Sequence, residues 1–228
     1  LGQMGGFAGR YMEKHMKNDQ VIGISWGRSI AYAIEALKDN SDLSLDVVQI
    51  FGGMMVGNPL IEGSELARKM ISKYNAKGFY LNAPLYIDNK LARETLKKQP
   101  IIENTLNKAR NADMIVSGIG DVAKDTLSYM WSGFDNHREL ESLVEQGAAG
   151  FICAQAYDIN GNEVDSDFNQ KIIGISLQEL KKVKTVIGIS GGKRKAAAVL
   201  GALRGNYINV LVTDRSCAKE VLMLEGKS

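Results

Sequence analysis

Short apolar runs alternate with amphipathic stretches along almost the whole of this 228-residue chain. Val21–Ser25 (VIGIS) reads as a buried strand, and Ser29–Leu37 follows with Ile30, Ile34 and Leu37 at helical spacing. Leu45–Phe51 is a second strand, ended by Gly52-Gly53, and Glu62–Tyr74 a second helix with a Leu66, Met70, Ile71 stripe. Gly78–Asn82, Met114–Ser117, Thr185–Ile189 and Tyr207–Val212 read as further strands. Ile101–Ala109, His137–Gln146, Lys193–Leu203 and Ser216–Leu224 read as helices. Ala149–Asp158 looks extended, and Asn160-Gly161 is a hairpin turn with a return strand through Glu163 and Val164. Strands alternating with helices predict an α/β fold, an open and mostly parallel twisted sheet. Asp121–Asp135 is the least regular stretch and the candidate mobile loop or lid.

Composition narrows the function classes. Lys plus Arg is 28 and Asp plus Glu is 26, so the net charge of +2 excludes a generally basic, nucleic-acid-coating surface. A local cationic pocket remains compatible with it. Cys153 and Cys217 cannot form a disulfide framework and point to a reducing, cytoplasmic compartment. With His15 and His137 far from them in sequence, no zinc spacing exists, and no metal or cofactor is expected. No apolar run reaches the roughly 18 residues of a membrane span. The first residues lack the apolar centre and cleavage site of a signal peptide, and there is no initiator Met, which leaves room for residues upstream.

In open α/β sheets ligands sit beyond the carboxyl ends of the strands, and three glycine-containing turns fall there. In Ser25-Trp26-Gly27-Arg28-Ser29, Gly27 permits close backbone approach and the Arg28 and Ser29 N–H groups open a helix toward an anion. Arg28 can add a bidentate contact and Ser29 a hydroxyl. The plain alternative is a capping serine beside a solvated arginine. In Ser190-Gly191-Gly192-Lys193-Arg194-Lys195, two glycines and three cations precede an alanine-rich helix. Cations oppose the dipole at a helix start, so a bound anion explains at least one of them better than solvent does. The turn is no P-loop: only three residues separate Gly188 from Gly192, and Arg194 stands where a magnesium-binding Ser or Thr belongs. Gly118-Ile119-Gly120-Asp121 is half a dinucleotide fingerprint and reads as a tight turn lining a pocket. Asn82, before Ala83-Pro84, is a candidate for the pocket rim. Cys153 reads as a small core residue in a strand rather than a nucleophile. No Gly-x-Ser-x-Gly elbow supports a hydrolase.

These turns, with Gly52-Gly53, Gly63-Ser64-Glu65-Leu66-Ala67, Asn82-Ala83-Pro84-Leu85, Gln146-Gly147-Ala148, Ile173-Gly174-Ile175-Ser176-Leu177 and Asn209-Val210-Leu211-Val212-Thr213-Asp214, form an ordered series. The series resembles the sugar-binding effector domain of the SorC family of bacterial transcriptional regulators, over nearly the whole chain. The resemblance implies a Rossmann-like fold related to sugar-phosphate isomerases and deaminases, a phosphorylated sugar as effector, and a homodimer or tetramer. It implies that Gly27, Arg28 and Ser29 hold phosphate and that Gly191, Gly192 and Lys195 of the second turn also contact the ligand. Gly52, Gly53, Asn82, Gly118, Gly120, Asp121 and Phe151 complete the expected pocket. Family members carry an N-terminal DNA-binding domain of about 50–60 residues, at the low end of domain sizes. With the first strand near Val21, residues 1–228 are expected to be the effector domain alone, reaching operator DNA only through that missing domain. Phe151 departs from the acidic residue usual in the family. An enzyme on the same fold, with Asp121 or Asp135 as base, is the competing expectation. A structural oligomerisation domain is the third.

Overall fold

The computed structural model describes residues 2–54, 58–123 and 137–226. In chain order its strands are β1 Gln20–Ile24, β2 Leu45–Gln49, β3 Lys77–Phe79, β4 Met114–Gly118, β5 Gly120–Asp121, β6 Ala148–Ile152, β7 Gln155–Asp158, β8 Thr185–Ile189 and β9 Val210–Val212. Its helices are α1 Gly2–His15, α2 Arg28–Glu35, α3 Gly63–Tyr74, α4 Lys90–Lys97, α5 Pro100–Arg110, α6 His137–Glu145, α7 Asp167–Gln170, α8 Leu177–Leu180, α9 Ala196–Arg204 and α10 Arg215–Leu224.

Six strands form one sheet in the order β3-β2-β1-β4-β8-β9, and every pairing within it is parallel. The order reverses direction between β1 and β4, as in a doubly wound dinucleotide-type sheet. Period-2 alternation sorts the side chains to the two faces. Ile22, Ile24, Met114, Val116, Ile187 and Ile189 face α1, α2 and α3. Ile115 and Val186 face the opposite layer, built from α5, α6, α9 and α10. Both faces are therefore covered, which is why the strands read as continuous apolar runs. A small antiparallel sheet, β5-β6-β7, stands beside the main one.

Several boundaries differ from the sequence expectation. Ala149–Asp158 is not one strand: β6 turns into β7 through Cys153 and Ala154, at φ 51° and 62°. Two left-handed residues between paired strands is the geometry of a tight hairpin loop that usually selects Asn-Gly. The expected turn at Asn160-Gly161 does form, with Gly161 at φ 82°, but the return strand is a single bridge between Tyr157 and Glu163. The helix expected from Lys193 begins with a 3-10 turn over Lys193–Lys195 and becomes α-helical at Ala196. Helix α1 was not anticipated, because Gly2, Gly5, Gly6 and Gly9 give it poor propensity. Tertiary contact overrides that: a Cβ on Gly5 would sit 2.4 Å from Tyr32 Cβ, and one on Gly9 2.8 Å from the Ala33 oxygen. The expected lid lies outside the described residues from 124 onward.

A candidate anion-binding cleft at the switch point

Because β1 and β4 lie at the reversal of strand order, the loops leaving their carboxyl ends diverge and open a crevice. A cleft of about 300 Å³ occupies it. The β1 turn supplies Trp26, Gly27, Arg28 and Ser29, and the β4 turn supplies Ser117 to Gly120. Arg194 and Lys195 reach in from beyond β8. Phe51, Ile61, Phe151, Cys153 and Ala154 close the apolar side.

Gly27 stands at φ 113°, ahead of α2, and its N–H is tied to the Ile61 oxygen at 2.9 Å. No side chain caps α2, so its first turn keeps the partial positive charge of a helix start toward the cleft. The Lys195 ammonium donates to the Ile119 oxygen at 3.2 Å. Burial holds its pKa below the ordinary lysine value, and the neighbouring Arg194 and Arg28 push the same way while Asp121 opposes them. Arg194 donates through Nε to Asp121 Oδ2 at 3.0 Å, and that carboxylate is only 6% exposed. The described lining thus carries three cations and no carboxylate. A crowded, partly desolvated lysine among arginines is stabilised by an incoming anion.

A larger groove, about 670 Å³, runs along α2 and α3 and shares only Arg28 and Ile61 with the cleft. It mixes Arg68, Lys69 and Lys73 with Glu35 and Asp39.

A family model described as "Putative sugar-binding domain" matches residues 1–223. The chain belongs to this sugar-binding domain family. It is 27% identical over 216 residues to the deoxyribonucleoside regulator of Bacillus subtilis, covering 95% of this chain and 68% of that protein. It is 29% identical over 229 residues to the sorbitol operon regulator of Klebsiella pneumoniae, covering 97% of this chain and 71% of that protein. The crystal structure of the full-length sorbitol operon regulator SorC from Klebsiella pneumoniae superposes with a TM-score of 0.89 at 28% identity, over 97% of this chain and 71% of that one. The chain spans about two thirds of the length of these curated relatives, which are named as regulators. The SorC resemblance carried by the motifs therefore holds, and so does the mostly parallel α/β fold.

Within the sugar-binding domain the anticipated residues divide. Gly27, Arg28, Ser29, Gly118, Gly120, Phe151 and Lys195 come together around the cleft. Gly52 and Gly53 do not line it: their N–H groups bond to the Ile173 and Ala83 oxygens, each at 2.9 Å. Asn82 is exposed on the neighbouring loop. Gly191 and Gly192 lie behind the cleft, and the Gly192 N–H is taken by Asp214 Oδ2 at 2.7 Å. Asp121 lies outside the lining, bound to Arg194. Phe151 pairs with Gly120 across β5–β6, is 2% exposed, and meets Phe168 edge to face at 6.2 Å. It is a core residue whose ring also forms cleft wall.

Sequence reasoning named Arg194 only as one of three cations in its turn, and passed over Ser117, Ile61 and the Cys153-Ala154 turn as cleft residues. Cys153 sits 3.9 Å from the Ser117 hydroxyl, and burial pushes its thiol up to about 12, which makes it a poor nucleophile. Among the described residues no group of three or more His, Cys, Asp or Glu is arranged to hold a metal. Among them, too, no helix is long and apolar enough to cross a membrane.

Proposed function

We propose that this domain binds a phosphorylated sugar as the effector of a bacterial transcriptional regulator, and that occupancy of the cleft is passed to a DNA-binding domain elsewhere in the full-length protein. One observation carries the reading: Arg28, Arg194, Lys195 and the uncapped start of α2 converge on a single cleft whose described lining holds no acid. A phosphate can add to the contacts these cations already make and meet the helix start at the same time. The aromatic and aliphatic wall of Trp26, Phe51, Ile61 and Phe151 suits the carbon faces of a sugar. Gly27, Arg28, Ser29 and Lys195 are assigned to the phosphate, and Arg194 joins them. Gly191 and Gly192 serve the turn rather than the ligand. The regulator works in the cytoplasm as a homo-oligomer, without a cofactor. The isolated domain, at a net charge of +2, does not bind operator DNA specifically.

The enzymatic alternative finds no free base in the described site, since Asp121 is engaged by Arg194 and by the Ala123 N–H at 3.2 Å. Asp135 lies outside the described residues.

A thermal-shift panel of sugar phosphates against their free sugars tests the proposal. A true effector at about 100 times its Kd adds roughly 2.7 kcal/mol of stability. Equal shifts from free sugars and their phosphates would overturn the phosphate assignment.

A further inference from the structure

We propose that Asp214 is a positioning residue: its carboxylate acts as an internal anion behind the second cleft turn and thereby aims Lys195 at the ligand. The proposal rests on reading the cleft as an anion site. Asp214 closes the Asn209–Asp214 motif and sits at the start of α10. Its Oδ1 does what a helix cap requires, accepting the Cys217 N–H at 2.9 Å and the Ser216 hydroxyl at 2.6 Å. A cap needs no more than that. The second oxygen, Oδ2, instead reaches 22 residues back and accepts the Gly192 N–H at 2.7 Å.

Gly192 is held on both sides of its backbone. Asp214 takes its N–H, and its oxygen accepts the Lys195 N–H at 3.0 Å, closing the 3-10 turn. The bonds therefore run in sequence from Asp214 through Gly192 to the Lys195 backbone, and the Lys195 ammonium ends in the cleft. Gly192 is at φ 92°, a conformation that a bound carboxylate helps to hold. Gly191 has the same cause: a Cβ there would fall 2.5 Å from Asp214 Oδ2 and 2.6 Å from Met4 Cε. Asp214 itself is absent from the cleft lining, so its action on the ligand passes through the turn.

The test uses the whole domain and inorganic phosphate as probe, measured by equilibrium dialysis. Asp214→Ser keeps a competent helix cap but cannot reach Gly192. It is expected to weaken phosphate binding about 10-fold, the scale of one charge-assisted hydrogen bond. The double variant Asp214→Ser, Lys195→Ala should bind no worse than Lys195→Ala alone, because Asp214 acts only through Lys195. Ser216→Ala, which removes only a helix-side bond, should bind like the parent. If Asp214→Ser fails to fold, Asp214→Asn, whose single acceptor oxygen can serve only one of the two partners, takes its place under the same comparison. Parent-like affinity in the Asp214 variant, or losses that multiply in the double variant, would overturn the proposal. A parent domain that takes up no phosphate at all would overturn the cleft reading, and this proposal with it.

Discussion

The same five residues, Val-Ile-Gly-Ile-Ser, end two strands of this sheet: 21–25 run through the end of β1 and one residue past it, and 186–190 do the same at β8. The strands flank β4 and are buried alike, and each leads to a glycine at positive φ, Gly27 at 113° and Gly192 at 92°. There the likeness stops. After β1 an α-helix begins at once, with no acid in its first turn and no side-chain cap. After β8 a 3-10 turn intervenes, also without a side-chain cap, and the Gly192 N–H is taken by the Asp214 carboxylate, where the Gly27 N–H is taken by the Ile61 backbone oxygen. Identical strands thus deliver two kinds of turn. One presents its own backbone at Gly27 and an uncapped α-helix start to the cleft. The other keeps its glycines out of the lining and sends only Arg194 and Lys195 into the cleft.

The sharpest way to break this contrast is to give the first turn its own acid. Ser29→Asp should keep or slightly raise stability, because a carboxylate at a helix start is worth about 0.3–1 kcal/mol. It should also reduce sugar-phosphate affinity by about 3 kcal/mol, by repulsion and by occupying the helix start. Calorimetric titration beside a melting curve separates the two effects; a variant that binds like the parent would mean the first turn does not see the ligand.

Next in size is Lys195→Ala, expected to cost about 1.5–3 kcal/mol of binding, the range for hydrogen bonds to charged groups. The same titration should find Lys193→Ala nearly silent, since Lys193 is 71% exposed and pairs with Glu220 at the surface. Equal losses from the two would replace a specific contact by a diffuse field.

A pH titration sharpens the comparison further. Burial lowers the Lys195 pKa from 10.5, so the protonated form is penalised in the folded domain, and stability gains as pH rises from the lowered value toward 10.5. A phosphate monoester, already a dianion above about pH 7, favours the protonated lysine. Affinity should therefore fall as pH climbs through that window, and Lys195→Ala should flatten the fall. Asp214 runs the other way. The Ser216 hydroxyl, then the Cys217 N–H, hold its pKa below 3.8, so its contribution stands above that pH and is lost as pH drops through the lowered value. Acid unfolding should begin at higher pH in Asp214→Ser than in Ser29→Ala. That difference is the smallest expected.

The sheet was legible because its strands are buried on both faces and so read as uninterrupted apolar runs between glycine turns. The cleft was half legible. Gly27, Arg28, Ser29 and Lys195 follow strand ends directly, and strand ends are where such sheets bind ligands. Arg194 looked like its neighbours Lys193 and Lys195, because its partner Asp121 is 73 residues away. The Cys153-Ala154 hairpin carries no turn-forming residue, and its left-handed backbone is imposed by β6 and β7 pairing around it. Gly52 and Gly53 looked like ligand glycines, yet they serve backbone pairing with the 83–84 and 173 segments. Glycine marks a close approach without saying what approaches.

The missing side chains of Gly5 and Gly9 have a mechanical consequence. Helices usually touch through a layer of side chains that can re-pack when one helix shifts, and such a layer absorbs small displacements as slack. Between α1 and α2 that layer is thinned to backbone: Gly5 lies on Tyr32 and Ala33, and Gly9 on Ala33 and Ala36. Close packing of this kind leaves little slack to take up a relative shift of the two helices. A tilt of α2 at Arg28, where it meets the cleft, would press on α1 through backbone and Cβ atoms rather than through a compliant side-chain layer.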